Sequence, residues 1–264
     1  MKVMSLSWSA LRCLLYWSVV PLAIMPIKAH SDGNKSQGAP SQSSELSANM
    51  HRYSKFYESL EQGANIPVLY HGSRARKEIA LTFDDGPHLK YTEELLDLLK
   101  KLDVKATFFV VGKMVDRYPD LVMKELADGH EIANHTYDHL NLKKLTPEQV
   151  QKEILMGADA IKRVVGYAPV YFRPPGGQYN DKTLRAAAAI HQTPVLWTAN
   201  SKDFMRPKPD VLERRLLNMP ASGGILLCHD GIPETMQILP DLVARLKAQG
   251  YVFVTVSELA KHLK

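Results

Sequence analysis

Cysteine is nearly absent: the 264 residues hold Cys13 and Cys228 and no other. Cys13 lies in the N-terminal apolar run, so a processed chain would keep one thiol and no internal disulfide. Cys228 sits beside Ile225, Leu226 and Leu227, where a free cysteine packs as a small apolar group. Acid is missing from the first 29 residues, which carry Lys2, Arg12 and Lys28 and an apolar run from Cys13 to Ile27. A basic start followed by an apolar run reads as an export signal at residues 1–29, with cleavage before His30. An uncleaved N-terminal membrane anchor is the second reading, as a run this short barely reaches across a bilayer. Either one places the protein outside the cytoplasm: periplasmic, secreted or bound to the cell envelope. A strong charge of one sign is lacking too. Without residues 1–29 the net charge of +5 falls to roughly +2, too little for a nucleic-acid footprint. There is no internal repeat.

What is present falls into three parts. Residues 30–47 are polar, rich in serine and glycine and without periodicity, as a flexible linker is. Residues 48–264 form the folded domain, starting with a candidate helix from Ala48 to Gln62 and a short strand at Ile66, with the chemistry-bearing core over 79–264. From Ile79 onward, short β-like runs alternate with helical patterns. The candidate strands are IALTF, ATFFVV, HEIAN, VYFR, TPVLWT, GILLC and YVFVTV. The helical patterns cover Thr92 to Leu102, Pro119 to Asp128, Pro147 to Val165, Asp181 to Ile190, Pro209 to Met219 and Thr235 to Gln249. Strict alternation implies parallel strands with right-handed crossovers. We expect a distorted (β/α) barrel of seven or eight parallel strands.

In such a barrel, catalytic groups gather where strands end. Asp84 and Asp85 follow the first strand, His135 and His139 the third, and Arg173 and Gly176 the fourth. Asp203 follows the fifth, and His229 and Asp230 the sixth. Taken alone, Asp84-Asp85-Gly86-Pro87 is a turn signal. Adjacent carboxylates at a strand end are costly, however, unless a cation or a proton separates their charges. His135 and His139 have the spacing that turns two imidazoles to one side, a common part of a metal site. Together Asp85, His135 and His139 make a two-histidine, one-carboxylate set for one divalent ion, zinc by default, with positions open for water and substrate. Asp84 is then free to take a proton from the water.

These residues give the chain a resemblance to the polysaccharide deacetylases of carbohydrate esterase family 4, from about Ile79 to the C-terminus. The first motif is Thr82-Phe83-Asp84-Asp85-Gly86, the second His135-Thr136-Tyr137-Asp138-His139, the third Arg173-Pro174-Pro175-Gly176-Gly177 and the fifth Leu227-Cys228-His229. The resemblance implies Asp84 as base, Asp85, His135 and His139 as metal ligands, Arg173 as the group that orients the base, and the Gly176 N–H as an oxyanion donor. It further implies Leu227 as a wall of the acetyl pocket and His229 as general acid, paired with Asp203. In the fourth motif, Asn200-Ser201-Lys202-Asp203-Phe204 departs from the usual Asp-x-x-Asp-Trp: Asp203 is retained and Phe204 stands where the family has tryptophan. Gly176 stands where many relatives carry an aromatic residue. Tyr179, in the same glycine-rich loop, is a candidate to face a sugar ring.

The implied activity is metal-dependent removal of N-acetyl groups from a polymer containing N-acetylglucosamine: peptidoglycan, a chitin-type oligomer or poly-N-acetylglucosamine. Two alternatives are an O-acetyl esterase acting on xylan and a carbohydrate-binding relative without catalysis. The partner in each case is an acetylated polysaccharide, not nucleic acid.

Overall fold

The computed structural model describes residues 66–218 and 221–263. The export signal or anchor, the linker and the candidate helix at 48–62 lie outside the described residues. Eight parallel strands form one sheet. They are β1 (Glu78–Asp84), β2 (Thr107–Val110), β3 (Glu131–Asn134), β4 (Tyr171–Phe172), β5 (Thr193–Pro194), β6 (Ala199–Asn200), β7 (Gly224–His229) and β8 (Val252–Val254). The helices are α1 (Thr92–Lys101), α2 (Gly112–Arg117), α3 (Pro119–Ala127), α4 (Pro147–Val165), α5 (Asp181–Ala189), α6 (Pro209–Leu217), α7 (Pro233–Ala248) and α8 (Val256–Lys261).

The strand order is β5-β4-β3-β2-β1-β7-β6, with β8 paired to the first residues of β1. Its two outer members, β5 and β6, are consecutive in sequence and joined by residues 195–198. In a flat sheet they would stand about 29 Å apart at roughly 4.8 Å per strand. The connection from Pro194 to Ala199 reaches at most about 18 Å. The sheet therefore has to curl, and the result is a barrel left incompletely closed between β5 and β6.

Side chains alternate across this curled sheet. Ile79, Leu81 and Phe83 of β1, Phe108 and Val110 of β2, Ile132 of β3, and Leu226 and Cys228 of β7 point outward into the layer of helices. Ala80, Phe109, Ala133, Tyr171 and Ile225 point inward, joined by Leu69, Val195, Val256 and Leu259. Continuing the inward series by steps of two leads to Asp84 on β1, His135 after β3, Arg173 after β4, and Leu227 and His229 on β7. The same pleat that fills the barrel with apolar groups thus delivers polar ones to its C-terminal mouth.

Local signals explain the element ends. Thr146 and Gln149 form a reciprocal capping box at the start of α4, and Gly166 ends it in the left-handed conformation at φ 86°. Asn180 caps α5 in the same way with Thr183. Two sequence expectations need correction. YVFVTV does not run as one strand: Thr255 leaves the sheet and caps α8 by a capping box with Glu258, a stronger local preference than the apolar alternation. TPVLWT keeps only Thr193–Pro194 as β5, and β6 begins just past it at Ala199. Between them, the carbonyls of Val195 and Leu196 accept from the Arg173 side chain at 3.3 Å each. Leu69, in the short run after Ile66, bridges to Val195 at this gap.

Helix α4 comes unusually near the loop after β3. A Cβ at Gly157 would strike Asn134 Oδ1 and lie 2.9 Å from the Thr136 carbonyl oxygen. Asn134 in turn donates to the Ile154 carbonyl at 2.8 Å and to Gln192 at 2.9 Å. Gly157→Ala is expected to push α4 from this loop and lower stability by about 1–3 kcal/mol, as overpacking does. Equilibrium urea unfolding measures it.

Candidate active site

Asp84 ends β1 and is almost fully buried, and its Oδ1 accepts from Arg173 Nη1 at 2.6 Å. Arg173 has no exposed surface. Its other donors reach Thr82 Oγ1 at 2.8 Å and the two carbonyls at the β5–β6 gap. The guanidinium lies 3.9 Å above the Phe109 ring, with Trp197 5.7 Å away. A buried cation is tolerable only with its donors matched and a counter-charge close by, and this one has both.

Asp84 Oδ2 faces a cluster made of Asp85, His135 and His139. His135 is buried and donates from Nδ1 to the Arg173 carbonyl at 2.8 Å, which fixes the tautomer and turns Nε2 toward the carboxylates. His135 Nε2 lies 3.4 Å from Asp85 Oδ1 and 3.6 Å from Asp84 Oδ2, and His139 Nε2 lies 3.2 Å from Asp85 Oδ1. The three ligand atoms of Asp85, His135 and His139 all lie within 4.8 Å of one another. Donors about 2.1 Å from a shared tetrahedral centre stand about 3.4 Å apart. The donor set fits a divalent ion.

The backbone here is held in costly conformations. Asp85 (φ 73°), Thr136 (φ 67°) and His139 (φ 58°) all occupy the left-handed region without being glycine. Such residues cost about 1–3 kcal/mol each and persist where the surroundings demand them. The Thr136 N–H donates to Asn134 Oδ1 at 3.0 Å, the His139 N–H to Thr136 Oγ1 at 3.1 Å and the Asp138 N–H to Glu153 at 2.9 Å.

Across the mouth, His229 Nδ1 meets Asp203 Oδ1 at 2.5 Å. Asp203 is fully buried and also accepts from the His229 N–H at 2.9 Å and from Thr235 Oγ1 at 2.6 Å. Phe204 is 58% exposed and sets its ring edge-on to His229, with centroids 5.6 Å apart. Leu227 is buried, two residues before His229 on the inward series. Gly176 is exposed at φ 60°, and Gly177 backs onto the Trp197 ring, so close that a Cβ there would lie 2.7 Å from it. The Tyr179 hydroxyl bonds that of Tyr70.

The electrostatics separate the two sides of the mouth. Burial would raise the Asp85 pKa, but the hydrogen bond and charge of His135, with His139 and His229, hold it at about 2. Burial, with His135 beside it, lowers the His139 pKa. Burial also pulls His229 down, yet the hydrogen bond and charge of Asp203, aided by Asp84 and Asp85, leave its pKa raised. Two groups thus favour the metal-binding protonation state, a carboxylate and a neutral imidazole, while His229 leans toward its protonated form.

The sequence-nominated residues therefore lie on neighbouring strand ends around one mouth. Thr82, Thr235 and Trp197 escaped that reading. Thr82 carried a signal, being two residues before Asp84 on the inward series; Thr235 on α7 carried none. Trp197, inside the TPVLWT run, packs on the loop that carries Gly176.

The sequence model of one family, described as polysaccharide deacetylase, matches residues 71–195. A peptidoglycan-N-acetylglucosamine deacetylase of Bacillus cereus is 40% identical over 191 residues, covering 70% of this chain and 89% of that protein. A peptidoglycan-N-acetylglucosamine deacetylase of Listeria monocytogenes is 37% identical over 187 residues; this covers 71% of the chain and only 40% of the longer relative. The crystal structure of a pseudoenzyme of carbohydrate esterase family 4 from Bacillus anthracis is similar with a TM-score of 0.71 and 29% identity, covering 75% of this chain and 70% of that one.

The ligand assignment has a direct test. Metal binding competes with protons at the histidines, so the lowered His139 pKa favours binding at lower pH. Zinc affinity measured by competition with a chromophoric chelator is expected to persist below pH 6.5, the ordinary histidine value, and then to fall as His139 protonates. His135→Ala is expected to weaken it by about a hundredfold or more, given that even outer partners of a ligand are worth 10- to 100-fold. An unchanged affinity in that variant would remove the site.

Proposed function

We propose, from the premise that this chain belongs to the polysaccharide deacetylase family, that it hydrolyses the N-acetyl groups of amino sugars in peptidoglycan. The observation that carries the reading is the pairing across the mouth. Asp84 with Arg173 stands on one side of the Asp85–His135–His139 cluster and His229 with Asp203 on the other. The substrate follows the named activity of the Bacillus cereus relative. A polymer of the cell wall also agrees with the basic, apolar start of the chain, read as an export signal or anchor, and with residues 30–47 as its tether.

Amide hydrolysis requires one proton removed from water and another delivered to the departing amine. A divalent ion held by Asp85, His135 and His139, which we take to be zinc, supplies Lewis acidity toward the acetyl carbonyl and lowers the pKa of water toward about 7. Asp84, its Oδ1 held by Arg173, keeps Oδ2 to accept the water proton. The Gly176 N–H stabilises negative charge on the carbonyl oxygen. His229 delivers a proton to the sugar nitrogen as the C–N bond breaks. Leu227 lines the space for the acetyl methyl, and Phe204 and Tyr179 flank the sugar.

Acetate release from peptidoglycan glycan strands, with acetylated xylan alongside, tests the reading with purified full-length protein. Release from xylan alone would make the chain an O-acetyl esterase, and release from neither would place it with non-catalytic relatives. Asp84→Asn is expected to lose on the order of 10²- to 10⁴-fold in turnover while retaining zinc. His229→Ala should slow amide substrates far more than activated esters, whose leaving groups need no proton.

The pH profile carries a sign. An acid with a raised pKa is protonated below that pKa, so activity extends above pH 6.5 and is lost as pH rises through the raised value. Asp203→Asn removes the main raising interaction. Its alkaline limb should therefore move to lower pH, and a limb that stays in place would separate His229 from the acid role.

A further inference from the structure

One carboxylate at the mouth has no part in the chemistry just described. Asp230 directly follows His229 and is 6% exposed. Its backbone N–H donates to the Asp84 carbonyl at 2.9 Å, continuing the β1–β7 ladder by one residue. Its Oδ2 accepts from the Thr92 hydroxyl and from the His88 N–H, the latter at 3.2 Å. Thr92 is fully buried, and its oxygen also accepts the His88 N–H at 2.6 Å. A Cβ at Gly86 would lie 2.7 Å from Asp230 Oδ2, so the carboxylate rests directly against that glycine.

Asp230 therefore grips the Asp84–His88 loop at both ends: Asp84 by its main chain, His88 by its side chain, with Gly86 between. Asp85 sits inside the gripped segment at φ 73°, a conformation its own backbone does not favour. The Val111 N–H also holds the turn, donating to the Gly86 carbonyl at 3.0 Å. Asp230 Oδ1 is buried without a partner, as are both carboxylate oxygens of Glu125, fully buried on α3. A buried acceptor left unpaired costs about 1–3 kcal/mol.

We propose that Asp230 is a positioning residue for deacetylation: through Thr92 and the His88 amide it sets the Asp84–Asp85 turn against the strand end that carries His229. The inference rests on the function proposed above for its consequence in turnover, and on the loop geometry alone for its consequence in metal binding. The grip needs an acceptor oxygen and not a negative charge. Asparagine supplies that oxygen and turns an N–H₂ toward the unpartnered side, whereas alanine supplies neither.

The test compares Asp230→Ala, Asp230→Asn and Thr92→Val in the full chain by zinc affinity and by kcat and KM for acetate release. Asp230→Ala is expected to lower kcat on the order of 10- to 100-fold, as a misplaced catalytic group does, with KM nearly unchanged. Its zinc affinity should fall about 10- to 100-fold, the usual effect of losing an outer partner. Asp230→Asn should stay within about threefold of the parent protein in both, a small loss beside those. Thr92→Val should fall in the same direction as alanine, and it serves if Asp230→Ala does not fold. Zinc affinity unchanged in both Asp230→Ala and Thr92→Val would overturn the proposal, as would asparagine as damaging as alanine. If the parent protein releases no acetate, the deacetylase reading fails by itself, and the zinc measurements still decide the role of Asp230.

Discussion

The buried ion pair between Arg173 and Asp84 is the interaction on which the rest of the site depends. Removing one partner of such a pair costs about 3–5 kcal/mol, because the other is left charged in a dry interior. Here the arginine also binds the carbonyls of Val195 and Leu196 where the barrel fails to close, and its own carbonyl holds the ring of His135. One residue thus ties the connection between β5 and β6 to β1, occupies one oxygen of Asp84 and, through its main chain, aims a histidine.

The two sides of the mouth are supported differently. On one, strained backbone at Thr136 and His139 lies in a loop held by Asn134, Glu153 and the close approach of α4 at Gly157. On the other, Asp203 is held by Thr235 and by the His229 backbone, which leaves its charge directed at the imidazole. Rigid support suits both tasks. A metal site needs three donors at fixed separations, and a proton donor needs a counter-charge that does not move.

A fold alone does not establish catalysis. The pseudoenzyme from Bacillus anthracis has a similar structure. The case for activity in this chain lies in particular atoms: an oxygen of Asp84 turned to the cluster, three donors within 4.8 Å, and a histidine paired with a buried carboxylate. The sugar-facing rim is less elaborate, with an exposed Phe204, a bare Gly176 and a Tyr179 whose hydroxyl is engaged by Tyr70.

Much of this was legible in the order of residues. Alternating strand and helix patterns specify a parallel barrel, and polar residues directly after apolar runs mark its mouth, because the periods of 2 and 3.6 are local properties of the chain. Asp84, Asp85, His135, His139 and His229 could be nominated for the same reason: each lies at or just past the end of a readable strand. What depended on the partner across the barrel could not be read. The partner of Thr82, Thr235 as a support, the shortened run at TPVLWT and the grip of Asp230 on His88 join residues separated by up to 142 positions. The end of YVFVTV was decided by a cap competing with the β pattern, a local contest that periodicity does not register. Local sequence determined which elements form and which side chains they carry to the mouth. Only tertiary packing decided which of those side chains meet, because a hydrogen bond depends on separation in space and leaves no period in the chain.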